Sequence, residues 1–390
     1  MKKLVVMVFL FLLIPREVYA RDFYTLDIGL TRPVKNFYSV KLSSKDGFIL
    51  KNGKGRIIGA IWEPEVTVRF ADESFRIFLP SGEAAWESMN SLMLMHPDGE
   101  FTPIFVEGKG YRGNIFFRLH EGKPIIINRI ILDFYLMGVV PSEIGDTAPK
   151  EALKAQAVAS RSFALANREK FIKKGYNLDD TTMSQAYFGI EKETDDATSA
   201  VKETSGKILK FNGELCNSIF FSVSSGYTES SDGVWGGKKI EYLSSVKDPY
   251  SASSKNFFWN IKISRDEIER LLREAGKDIG KLRSFSLVLN NETGSVKNVR
   301  LNGSERSIEL TGNAFRLILG AQGFKSSWFR VGESGLRFES GSEVIFKGKG
   351  YGHGVGMPQA GAVEMANQGF SFEEILQFYY KGAVVENGWR

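Results

Sequence analysis

The sequence predicts an α+β fold, a mixed β-rich scaffold carrying one long Ala-rich helix beside a single carboxylate. Three observations carry this. Short apolar runs broken by turn signals fill residues 21–131. Residues 149–171 read as one helix, with Ala152, Ala155, Ala159 and Phe163 at helical spacing. Ser264 with Glu267, and Ser371 with Glu374, have the spacing of capping boxes that open two later helices.

Taken in order, the chain starts with Lys2 and Lys3, an apolar run over 4–14, Pro15, and a small-residue ending at Ala20. This is the pattern of a secretory signal peptide cleaved after Ala20, with an uncleaved anchor as the alternative. The run is short for a membrane span. Loss of Lys2, Lys3, Arg16 and Glu17 takes the net charge from +5 to +3. A protein acting outside the cytoplasmic membrane is expected. Its mild basic excess suits a cell wall or lipid head groups and is too weak to argue for nucleic acid. The 390 residues suffice for two or three subdomains.

Residues 21–102 read as a β-rich accessory segment, with turns at Asn52-Gly53 and Pro97-Asp98-Gly99. Strands continue to 131, with Asn128 as a satisfied polar residue at a strand end. The apolar run 132–140 then ends in Pro141-Ser142 and presents Glu143 on a loop. Pro149 is placed in the first turn of the next helix, with Asp146 or Thr147 as cap. Gln156 and Arg161 are long polar side chains within that otherwise Ala-rich helix.

Beyond it, Gln185, Tyr187 and Gly189 follow a polar cluster and form a reasonable sugar-binding set, with a loop around a packed Tyr as the plainer reading. A short helix over 194–204 and a hairpin at Asn212-Gly213 come next. Segment 222–229 is rich in hydroxyls; Ser224 and Tyr227 are candidates for substrate or backbone hydrogen bonding. No nucleophile elbow surrounds its serines. Residues 260–345 read as a mixed α/β insertion.

Cys216 is the lone cysteine and excludes an intrachain disulfide. With three histidines (His96, His120 and His353), a zinc site of the usual kind is poorly supplied. The last motif, Gly350-Tyr351-Gly352-His353-Gly354-Val355-Gly356-Met357-Pro358-Gln359, lets the backbone approach a ligand or take positive φ. It fits neither a Walker loop nor a dinucleotide fingerprint. On chemistry alone His353 is a ligand, an acid/base group or a structural hydrogen-bonding residue.

Several of these segments together resemble the stage II sporulation protein D family. They are Tyr111-Arg112-Gly113, Tyr135-Leu136-x-Gly138-Val139-Val140-x-x-Glu143, 152–159 with Arg161, Gln185-x-Tyr187-x-Gly189, the glycine motif just given, and Ile375-Leu376-x-x-Tyr379-Tyr380-x-Gly382. They cover roughly 103–385 in the family's order, so 103–390 is expected to be the catalytic domain.

That family comprises cell-wall lytic transglycosylases, with amidase-enhancer proteins among its relatives. The resemblance implies that Glu143 is the catalytic acid/base. It places Gln185, Tyr187, His353 and Gln359 around a glycan-binding groove. Gln156, Arg161, Ser224, Tyr227 and Tyr351 complete the set of expected substrate-binding residues. Some members bind zinc through a His and a Cys; the aligned positions here are Phe221 and Ser224, so no metal and no cofactor is expected.

A hydrolytic glycosidase ordinarily needs two carboxylates, and the Glu143 motif offers one. A lytic transglycosylase manages with one, because the MurNAc C6 hydroxyl replaces water. The expected substrate is therefore peptidoglycan glycan strands, stripped of stem peptides, with an N-acetylmuramoyl-L-alanine amidase as functional partner. A non-catalytic wall-binding amidase enhancer is one alternative. The other is a muramidase using Glu143 with Asp179, Asp180 or Glu229.

Overall fold

A computed structural model describes residues 24–34, 37–320, 323–332 and 343–388. Residues 1–20, expected to be a signal peptide, lie outside the described residues. Among them the chain is mixed α+β and β-rich, with eight α-helices. No helix of these residues is long and apolar enough to cross a membrane.

Two antiparallel-rich sheets build the N-terminal half. The larger runs in the order Leu178–Asp179, Thr25–Gly29, Lys123–Ile131, Asn114–His120, Ser91–Met95, Phe48–Lys51, Ile57–Ile61. The smaller runs Lys109–Tyr111, Ile104–Val106, Ser39–Ser43, Glu65–Ala71, Ser74–Phe78, Ala84–Met89. Alternating burial, as in Ser39–Ser43, turns one face of each strand inward. Both sheets mix strands from before and after residue 102, and a single apolar core joins Leu42, Phe75 and Leu94 to Ile130 and Leu136. The boundary expected at 102/103 falls inside these sheets. Asn128 is satisfied, at mid-strand: its Nδ2 donates to the Arg112 carbonyl at 2.7 Å.

The apolar run after the last long strand is a helix, α1 (Leu132–Ile144). Gly138 and Pro141 disguise it in the sequence, and burial on nearly every side removes the amphipathic stripe that marks a surface helix. Glu143 therefore stands in the last helical turn and not on a loop. Pro141 donates no hydrogen bond, while the Ser142 hydroxyl donates to the Gly138 carbonyl at 2.6 Å. Gly138 is required by packing, because a Cβ there would lie 2.4 Å from the Gly189 carbonyl oxygen.

Helix α2 (Lys150–Ala166) follows, with Pro149 itself as the cap residue and no side chain capping it. Its alanines explain its place. Leu153, Ala157 and Ala164 face the core of the sheets, while Ala155, Val158 and Ala159 face a second core. Small side chains on both faces let one helix serve as the wall between two cores. That second core is completed by the C-terminal helices Gln359–Asn367 and Phe372–Tyr379, the latter opened by a Ser371/Glu374 capping box.

The described residues of 258–349 fold around a core of their own, with Phe315, Phe324, Phe329 and Phe346 at its centre. Two three-stranded sheets and helices Arg265–Glu274 and Gly312–Leu319 enclose it. This unit mixes helices and strands and spans the residues expected to form an insertion.

Candidate functional site

Three elements meet at Glu143. The last turn of α1 presents the carboxylate. The loop 180–189 supplies the Ala186 amide, which donates to Oε1 at 2.7 Å. The start of the helix at Gln359 supplies that residue's amide nitrogen, which donates to Oε2 at 3.4 Å. Desolvation pushes the carboxyl above the ordinary 4.5, and these two hydrogen bonds and the charge of Arg32 lower it without cancelling the rise. The C-terminal end of α1 carries partial negative charge, which acts in the same direction as burial.

The group stays partly accessible, because it borders a cleft of about 420 Å³. Phe163, Phe220 and Trp235 give this cleft aromatic walls; Asn167, Lys170 and Asn217 give it polar ones. Trp235 is 50% exposed at the end of a short helix, Ser231–Trp235, and its ring centroid lies 5.3 Å from that of His353. The Asn167 side chain donates to that of Asn217 at 2.8 Å. An exposed indole and two half-buried phenyl rings beside paired amides and one partly buried acid suit a saccharide: rings stack on pyranose faces and amides bond the hydroxyls. The sequence reading did not single these residues out, although Trp235 ahead of Gly236-Gly237 was a usable signal.

His353 borders the cleft with both ring nitrogens occupied. The Val355 amide donates to Nδ1 at 3.1 Å, so Nε2 carries the proton and donates to the Phe220 carbonyl at 3.1 Å. Burial and the nearby Arg316 charge push its pKa down to about 4. The ring is neutral near pH 7 and works as a tie between the glycine motif and Phe220.

Most of the other predicted residues are spent inside the protein. Arg161 is fully buried; it donates to Asp133 at 2.9 and 3.1 Å and to the carbonyls of Val201 and Lys207. Gln156 donates to the Ser160 hydroxyl at 3.0 Å. Gln185 accepts from Tyr135 and donates to the Ser160 carbonyl, both at 3.4 Å. The Tyr187 hydroxyl donates to Asn128 at 2.8 Å, and its ring packs between those of Tyr111 and Tyr135. Gln185 and Tyr187 thus anchor the loop from both sides so that the amide between them meets Glu143. Ser224, buried, accepts from the Gly226 amide, and Tyr227 bridges to Lys247 through its backbone. Neither of these, nor Tyr351, borders the cleft.

Further carboxylates are placed elsewhere. Asp180 accepts from the Thr31 hydroxyl and the Thr31 and Arg32 amides, and Asp179 caps the turn at Thr181. Glu229 borders a separate cavity of about 330 Å³ with Asn290, Ser295 and Thr311. Cys216 is buried, its thiol pushed up to about 12. Among the described residues, one His/carboxylate cluster has metal-like spacing: Asp46, His96 and Asp98. There His96 Nδ1 already accepts the Asp98 amide at 3.0 Å, which leaves Nε2 protonated toward Asp46 at 3.7 Å. A ring held that way does not offer Nε2 to a metal.

Comparison with known proteins adds a second kind of finding. Residues 120–211 match a family model described as stage II sporulation protein, and residues 242–356 match one described as a domain of unknown function. Stage II sporulation protein D of Bacillus subtilis is 32% identical, over 66% of this chain and 75% of its own length. An uncharacterized protein of Brachyspira hyodysenteriae is 31% identical, over 72% and 73% respectively. The amidase enhancer of Bacillus subtilis is 28% identical over 82% of this chain, which spans about half of it, 52%.

Proposed function

The chain belongs to the stage II sporulation protein D family, and from that premise we propose that it is a peptidoglycan lytic transglycosylase acting outside the cytoplasmic membrane. The observation that carries this reading is the solitary Glu143. It is partly accessible, raised in pKa by burial, and set in an aromatic and amide-lined cleft that holds no second carboxylate among the described residues.

The chemistry follows from one acid working twice. Protonated Glu143 gives its proton to the glycosidic oxygen between MurNAc and GlcNAc as the C1–O bond breaks. The resulting carboxylate takes the proton of the MurNAc C6 hydroxyl, whose oxygen bonds to C1. The products are a GlcNAc end and a 1,6-anhydroMurNAc end. No water is consumed, and Glu143 returns to its protonated form. Ala186 and Gln359 stabilise the carboxylate form reached midway and hold it in place. Trp235 and Phe220 are the stacking surfaces for the sugar rings, with Asn167 and Asn217 as hydroxyl partners. The resemblance to the family implies strands without stem peptides as substrate, and with them an amidase as the functional partner.

A second reading has one observation in its favour, the similarity to a relative named as an amidase enhancer. In it Glu143 is only a ligand contact and the chain binds glycan without cutting it. Mass spectrometry of products from stripped glycan strands separates the two. Anhydro ends from the wild type, absent with Glu143→Gln, are the expected result. Reducing-end MurNAc products would instead require a water-using muramidase, and binding without any cleavage would select the enhancer.

A further inference from the structure

The inserted unit has a sheet whose two faces are chemically opposite. The strands are Phe258–Ser264, Glu343–Lys349 and Phe329–Val331, with Glu343–Lys349 in the middle. Strand alternation sends Trp259, Ile263, Val344, Phe346 and Phe329 into the core. The same alternation puts Phe258, Asn260, Lys347, Lys349 and Arg330 on the outer face, where Phe258 pairs with Lys349 and Lys347 stands between Asn260 and Arg330.

That face is both cationic and aromatic. Lys349 Nζ lies 5.7 Å from the Phe258 ring centroid and 4.7 Å from that of Trp328, and the Arg330 guanidinium lies 4.2 Å from the Trp328 ring. Phe258 is 70% exposed. Among the described residues, none of Lys347, Lys349 and Arg330 forms an ion pair with a carboxylate. Cations without counter-charges beside an open aromatic ring fit a ligand with flat apolar faces and regularly spaced anions. A further feature fixes where such a ligand comes from. Lys349 and His353, a wall of the Glu143 cleft, are four residues apart, at most about 14 Å of chain, through the exposed Tyr351, over whose ring Lys325 sits at 5.4 Å.

We propose that this sheet face is a platform for carboxylate-bearing glycan, holding the part of a strand that extends beyond the Glu143 cleft. The inference rests on the glycan reading above. A strand freed of stem peptides exposes the lactyl carboxylate on every MurNAc. Pyranose faces would meet Phe258 and Tyr351, and those carboxylates would meet Lys347, Lys349 and Arg330. The platform would therefore read carboxylates that stand directly on the sugar ring, beside its stacked face.

The test uses the full chain carrying Glu143→Gln, so that strands are bound and not cut. Phe258→Ala, Lys347→Glu and Lys349→Glu are combined in one variant, with Lys347→Arg/Lys349→Arg as the charge-keeping control and thermal melting as the fold check. The charge-reversed variant is expected to lose about tenfold in affinity for stripped strands at low salt. The Arg control should bind as before. Amidating the lactyl carboxylates should weaken the unreversed protein by a similar factor and should not weaken the reversed variant. An equal loss on amidated strands would overturn the proposal, as would unchanged binding to stripped strands. So would tighter platform-dependent binding to an oligothymidylate or to anionic lipid vesicles than to glycan. Product analysis of the wild-type chain is a separate readout: its failure would remove the transglycosylase while leaving the charge effect on binding in place.

Discussion

Glu143 and Glu229 are both buried carboxylates with pKa values raised chiefly by desolvation, yet their surroundings differ in kind. Glu143 ends a helix, opens onto a cleft with aromatic walls, and has a donor on each oxygen. Glu229 is 5% exposed and receives a long 3.4 Å bond from Asn290 on Oε2; Thr293, Ser295 and that amide lower its pKa without cancelling the rise from burial. It sits at the seam between the body and the inserted unit, in a cavity sharing no lining residue with the Glu143 cleft. Burial raises a pKa wherever it occurs. An acid is useful only where burial is partial, a substrate has room, and the ionised form is supported when it appears.

The largest expected effect tests that contrast directly. Glu143→Gln should lower strand cleavage by about a thousandfold or more, the scale of losing a general acid/base. Glu229→Gln should leave turnover within about twofold, measured by release of soluble glycan. Equal losses in the two variants would break the comparison. Next in size, Trp235→Ala should raise KM by about tenfold through lost stacking with a smaller change in kcat, read from initial rates on stripped strands.

A subtler prediction concerns pH. Gln359 donates to Glu143 and so lowers its pKa; Gln359→Leu should raise it further. The alkaline limb of the activity profile, where the acid form is lost, should move to higher pH, with kcat down by about tenfold. A limb that moves to lower pH would contradict the assigned geometry.

The smallest effect is on stability. The folded pKa of Glu229 lies above its unfolded value, so its contribution is fully present below the unfolded pKa and is lost as pH rises through the folded one. Relative to Glu229→Gln, the wild type should therefore lose stability on going from mildly acidic to neutral pH, visible as a falling Tm difference.

Much of this arrangement is legible in the chain. The Ala-rich helix, the capped helices, the Asn212-Gly213 hairpin turn and the mixed insertion all follow from local rules, since caps and turns are decided by neighbours in sequence. Helix α1 is not legible, because a helix enclosed by protein has no polar face to set its period, and Gly138 and Pro141 resemble breakers. The site is half legible for a related reason. Gln156, Arg161, Gln185 and Tyr187 are polar residues in unusual places, and the sequence reveals that they bond to something. Whether the partner is a sugar or a carbonyl such as that of Val201 depends on elements forty residues away. Trp235, Asn167 and Asn217 come together only when three separate segments fold.

The main-chain donor at Ala186 has a consequence for how the site would look to genetics. An amide hydrogen survives every side-chain exchange except proline, so position 186 would register as tolerant to small residues although it touches Glu143 directly. Its neighbours Gln185 and Tyr187, which touch no cleft, would register as intolerant. A tolerance map of this protein would thus be displaced by one residue, in each direction, from the atoms that matter. Of all single exchanges in the loop, Ala186→Pro is the one expected to be read where the contact is made.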